Sequence, residues 1–132
     1  MLKFRNCERA VLLGTNTFWQ GVDIPGRALR CVIIWKLPFA VPDDPITEAK
    51  MEALEALGKN AFIHYLLPRA IIMTRQGFGR LVRRQTDKGI VAILDPRTRT
   101  KGYGKDFVNS LPSCAMTTKF DDVQRFSINY LT

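Results

Sequence analysis

From Arg69 to Arg97 the chain reads RAIIMTRQGFGRLVRRQTDKGIVAILDPR, and the residues there best equipped for chemistry are Gln76, Arg80 and Arg83. At about 100° per residue these three fall within roughly 60° of one another on a helix, with Arg84 at their border. One polar face then carries guanidiniums and an amide, a cationic comb. A guanidinium is planar, permanently charged and forks parallel N–H donors, which suits the oxygens of a phosphate chain. Phe78, Leu81 and Val82 fall on the other side, toward a core, while Gly77 and Gly79 remove bulk so that a ligand can approach the backbone. The competing reading is a solvated face, the usual fate of an arginine row.

The charge distribution speaks for a partner. The 132 residues carry a net charge of +8, and between Arg69 and Lys105 ten Lys or Arg stand against only Asp87 and Asp95. The rest of the chain is neutral, so the excess is focused, as expected for a polyanionic partner, nucleotide or nucleic acid. With 46% hydrophobic and 24% charged residues the chain reads as one folded domain. Cys7, Cys31 and Cys114 are an odd count, far apart and without C-x-x-C spacing, so no zinc or iron–sulfur site is readable. Cys31 sits in an apolar run and reads as a small core residue. With no secretory signal in the sequence, the expected setting is a reducing cytoplasm. No apolar run approaches membrane-spanning length, and no membrane partner is expected. His64, the one histidine, has no acidic or cysteine neighbour at ligand or relay spacing and reads as a packing or surface residue.

Several elements must hold the comb in place. Ala10 to Gly14 (AVLLG) reads as a buried parallel strand feeding the loop TNTFWQGVDIPG. That loop puts Thr15, Thr17, Gly21 and Asp23 where an open α/β sheet keeps its ligands. Leu29 to Leu37 reads as a second strand ended by Pro38, followed by a proline-rich connector. Asp44 caps the next helix, Pro45 fits its first turn, Gly58 closes it, and Met51, Leu54 and Leu57 form its inward stripe. Asn60 to Leu67 continues, with Pro68 separating it from the arginine helix. Ile90 to Leu94 reads as a third buried strand, and RTRTKGYGK as a basic loop. A short helix near Asp106 to Leu111, an edge strand around Ala115 to Phe120, and a tail open to a short helix complete the reading.

Two blocks together carry a family resemblance: GTNTFWQGVDIPG with VIIWKLPFAVPDDP, and RQGFGRLVRRQTDKGIVAILDPR. They resemble motifs V and VI of the DinG-like, XPD-related branch of superfamily 2 DNA helicases, and YGKDFVNSLP is similar to that family's continuation. The resemblance implies an α/β fold, a partial RecA-like domain with a mainly parallel sheet flanked by helices. It implies that Arg80 and Arg83 are arginine fingers, that Gln76, Gly21 and Asp23 face ATP, and that Thr15 and Thr17 lie near single-stranded DNA. Translocation from 5′ to 3′ is likewise implied by the family alone.

The chain has no GxxxxGK[ST] cradle, since Gly58-Lys59 is followed by Asn60 and Gly104-Lys105 by Asp106. The expectation is therefore an incomplete second motor domain over residues 1–132. ATP and Mg²⁺ would be bound mainly by a first RecA-like domain, supplied in cis or trans, and this chain would hold no iron–sulfur cluster and be inactive alone. A bared sheet face or edge is expected to encourage self-association. The alternatives are a basic nucleic-acid-binding module without ATPase coupling, and a remnant with no independent activity.

Overall fold

The computed structural model describes residues 4, 6–7, 10–15, 29–41, 43–82 and 87–131. Its centre is a β-α-β crossover. Strand β1 (Cys31–Ile34) pairs in parallel with β2 (Ile90–Ile93), Cys31 opposite Ile90 and Ile34 opposite Ile93. The ladder is extended at both ends by Ile90 N donating to Arg30 O and Leu94 N donating to Ile34 O. Each strand is shorter than its apolar run, because pairing rather than composition sets a strand's length.

The connection between the strands is helical. Helix α1 (Pro45–Ala56) is started by Asp44, whose carboxylate accepts from Thr47 N at 3.0 Å and Thr47 Oγ1 at 2.8 Å. It stops at Gly58, whose φ of +69° is the left-handed conformation that glycine adopts without a Cβ clash. Gly58 N donates to Glu55 O and Lys59 N to Leu54 O, the paired bonds that satisfy the last carbonyls of a helix. The expected inward stripe is only partly present: Met51 and Leu54 are half-buried, but Leu57 is exposed and Thr47 is the buried position. The helix leans on its neighbours through its first turn rather than along its length.

Pro68 does not separate two helices, contrary to expectation. A π-helical turn over Phe62–Leu66 runs directly into α2 (Leu67–Leu81), with Pro68 in the first turn of α2. Leu67 N donates to Phe62 O, one residue wider than an α-helical bond. A proline ring clashes with the carbonyl four residues back, and the wide turn supplies the room.

The core lies between α2, the strand exits and two further short helices, α3 (Arg97–Thr100) and α4 (Gly104–Ser110). Leu37, Leu67, Ala70 and Phe107 are buried together, with Phe39, Phe62, Ile93 and Tyr103 packed against them. The Phe39 ring touches three others, Phe62 at 5.6 Å, Tyr103 at 5.9 Å and Phe107 at 5.8 Å between centroids. Each such pair contributes about 0.5–1.5 kcal/mol beyond the area it buries. The segment expected as a basic loop thus contains the α3 turn and the start of α4.

Three further expectations are corrected. Ala10–Gly14 is not a strand: it is irregular, with Val11 88% and Leu13 89% exposed. A strand exists only through a partner's hydrogen bonds, and no strand among the described residues pairs with this run. Residues 115–119 are likewise irregular, and Phe120 opens helix α5 (Phe120–Tyr130) instead of closing an edge strand. Cys31 is exposed rather than core. It shares with Ile33 and Trp35 the strand face turned away from α2, where Ile33 is 61% and Trp35 72% exposed, whereas Ile34 on the opposite face is fully buried. Among the described residues the sheet has two strands, fewer than the three buried strands and one edge strand expected.

Candidate nucleotide-facing and nucleic-acid site

Helix α2 is locked on one side and open on the other. Leu67, Ala70, Thr74, Gly77, Phe78 and Leu81 are buried, a three-and-four spacing that marks one helical face. Thr74 is tolerated there because its hydroxyl donates to Ala70 O at 2.9 Å. On the other side Arg69, Ile72 and Gln76 are exposed and Arg80 is half-buried. Gln76 and Arg80 are one turn apart, so the fold does bring these two expected residues onto one stripe.

The end of α2 is fixed by a close approach. A Cβ on Gly89 would lie 2.7 Å from the Leu81 side chain, so the chain entering β2 passes tightly against the last turn that carries Arg80. Phe78 and Leu81 anchor that turn from below. Val82 already has extended geometry, and the helix therefore stops short of Arg83. Arg83 and Arg84, with Thr17, Gly21 and Asp23, lie outside the described residues. Thr15 is exposed on an irregular segment and belongs to a different stretch of backbone from α2.

A second arrangement was not read from the sequence. Asp95, 4% exposed, stands where β2 ends, and its carboxylate accepts from Leu37 N at 2.8 Å. It also accepts from Arg97 N at 3.0 Å and from the Arg97 guanidinium, Nη2 at 2.6 Å. One carboxylate thus ties the exit of β1 to the exit of β2 and to the first residue of α3. The Arg97 side chain, followed by the backbone N–H groups of Leu37 and Arg97, holds the Asp95 carboxyl far below the usual carboxylate range despite its burial. Arg97 in turn lies over the Phe39 ring at 5.1 Å. The available signal was an acid and an arginine two residues apart immediately after an apolar strand, in Asp95-Pro96-Arg97.

A buried-and-open α2 ending in Gln76 and Arg80, set in a parallel crossover, is matched by sequence comparison. The model of the helicase C-terminal domain family matches residues 1–114. The chain belongs to that family. It is a DinG-like helicase C-terminal domain by its relatives as well. It is 46% identical over 121 residues to the protein named 3′-5′ exonuclease DinG of Bacillus subtilis, covering 92% of this chain and 13% of that protein. It is 42% identical to the ATP-dependent DNA helicase YoaA of Haemophilus influenzae, covering 91% of this chain and 19% of that protein. It is 41% identical to YoaA of Escherichia coli, covering 94% of this chain and 20% of that protein. The helicase C-terminal domain chain therefore spans a fifth or less of the length of these relatives. Among its described residues no helix is long and apolar enough to cross a membrane.

Proposed function

We propose that this chain acts as part of the second, RecA-like motor domain of an ATP-dependent DNA helicase. In this reading the stripe along α2 faces a nucleotide held by another domain. Gln76 and Arg80 meet the phosphates, with Arg83 as the second arginine finger and Gly21 and Asp23 as further nucleotide-facing residues. Thr15 and Thr17 line single-stranded DNA, and movement runs 5′ to 3′. The observation that carries the reading is that exposed Gln76 and half-buried Arg80 lie one turn apart on a helix whose opposite face is fixed in the core. The guanidinium of Arg80 brings only N–H donors, which fit phosphate oxygens and not a cation. Mg²⁺ would therefore be held by the partner domain with its nucleotide cradle.

The chemistry follows from charge. A guanidinium fixed beside the terminal phosphoryl stabilises the charge that develops as the anhydride bond breaks, an effect worth roughly 10³ to 10⁵ in rate. Rigidity matters because a pre-placed donor needs no reorganisation during the reaction. The test is to mix the purified chain with a separately produced first motor domain. The expected result is DNA-stimulated ATP hydrolysis from the mixture and none from the chain alone. Turnover by the chain alone, or DNA binding with no restored hydrolysis in the mixture, contradicts the proposal, and the second result favours a simple binding module.

A further inference from the structure

The open side of α2 extends from Gln76 toward the start of the helix, where a further pair of cations gathers. A cleft of about 680 Å³ runs between α1 and α2, lined by residues that include Lys50, Tyr65, Arg69 and Gln76. The Tyr65 ring organises it. Lys50 Nζ lies 5.4 Å and the Arg69 guanidinium 5.8 Å from the ring centroid, and Arg69 Nη1 donates to the Tyr65 hydroxyl at 2.6 Å. Two cations thus lie beside one aromatic ring, and the hydrogen bond to its hydroxyl orients Arg69 before any ligand arrives.

The charge balance of the cleft favours an anion. Its carboxylate, Asp44, caps α1 through Thr47 N and Thr47 Oγ1 and also feels the charges of Arg69 and Lys50, so two cations stand against one anion and the cleft keeps a net positive charge. Arg69 uses one N–H on the Tyr65 hydroxyl and has further N–H donors to offer. The same cleft is also lined by apolar side chains, Ile46 at 65% and Ile72 at 55% exposed. Cations and an aromatic ring together with apolar surface in one cleft fit a single strand, which offers phosphates and base or sugar faces side by side. Arg69 lies two turns from Gln76 on α2, about 10 Å along the axis at 1.5 Å per residue, so the cleft continues the open side of the helix.

We propose that this cleft grips the backbone of a single-stranded nucleic acid, Lys50 and Arg69 contacting phosphates and Tyr65 holding them in position. The assignment rests on the DNA-binding part of the function proposed above. The test measures binding of the full chain to a fluorescein-labelled oligothymidylate by anisotropy across about 50 to 200 mM salt. In the Lys50→Ala/Arg69→Ala variant the affinity is expected to fall at least about tenfold, and the slope of log affinity on log salt to shrink by about 1.4, two contacts at about 0.7 each. The charge-keeping Lys50→Arg/Arg69→Lys variant restores the slope, which a merely structural role for these exposed residues does not predict. If the parent chain binds and the double-alanine variant keeps its affinity and slope, the cleft assignment is wrong while the DNA-binding reading stands. If the parent chain does not bind the oligonucleotide at all, that broader reading fails and takes this one with it.

Discussion

Arg97 and Arg80 belong to one basic stretch, yet the fold places them in different surroundings. Arg97 is tied to a buried carboxylate, rests on an aromatic ring and knits two strand exits together. Arg80 sits in the last turn of α2, half-buried with its Nε inside the protein, one turn from the exposed amide of Gln76. The lesson is that a count of positive charge mixes two populations. A focused excess of +8 includes at least one arginine whose charge is already matched inside the protein, so the net figure overstates the charge open to a polyanion.

The comparison breaks most visibly at Asp95. Asp95→Ala leaves the Leu37 N–H and the Arg97 guanidinium without their acceptor, and is expected to cost about 3 kcal/mol in urea unfolding. Arg80→Ala should cost less than about 1 kcal/mol in the same measurement. Equal losses would erase the distinction. Acid titration sharpens the same contrast. Because folding lowers the Asp95 pKa, the stabilisation it brings is full above the unfolded carboxylate range and is lost as pH falls toward the folded value. Stability of the parent chain should therefore fall steeply below about pH 4, the unfolded carboxylate value, and the fall should be shallower in Asp95→Asn.

The difference between these regions also explains what the sequence could reveal. The ends of α1 were legible because their signals are local: Asp44 at the cap, Pro45 in the first turn and Gly58 at the stop. The two paired strands were legible as apolar runs, and the Gln76–Arg80 stripe as helical spacing. The Asp95 knot was not, because its decisive partner, Leu37 N, is 58 residues away and a backbone amide has no sequence signature. Ala10–Gly14 and Ala115–Phe120 were misread for a related reason: apolar composition describes a strand's suitability for pairing, while the partner must come from elsewhere. Pro68 was read as a break because the wide turn that accommodates it follows from backbone geometry and has no residue of its own.

Smaller effects probe the two faces of the sheet. Ile33 and Trp35 are open to solvent while Ile34 is buried, and a parallel sheet ordinarily has both faces covered. We expect the chain to self-associate through this face, and Trp35→Ser to weaken association about tenfold in sedimentation equilibrium, roughly 1.4 kcal/mol. A parent chain that stays monomeric at high concentration contradicts this. The smallest effect is at Gly79, where an added Cβ meets nothing within 4 Å. Gly79→Ala should stabilise the helix by about 0.5–1 kcal/mol, read as a rise of a few degrees in Tm. A loss of stability there would mean that the open side of α2 is packed against protein.

The most direct test of the central claim is the ATPase rate of the chain mixed with a separately made first motor domain, compared between the parent and Arg80→Ala at saturating DNA. The account predicts a fall of roughly 10³ in turnover with oligonucleotide affinity retained. A variant that hydrolyses ATP as fast as the parent would contradict it.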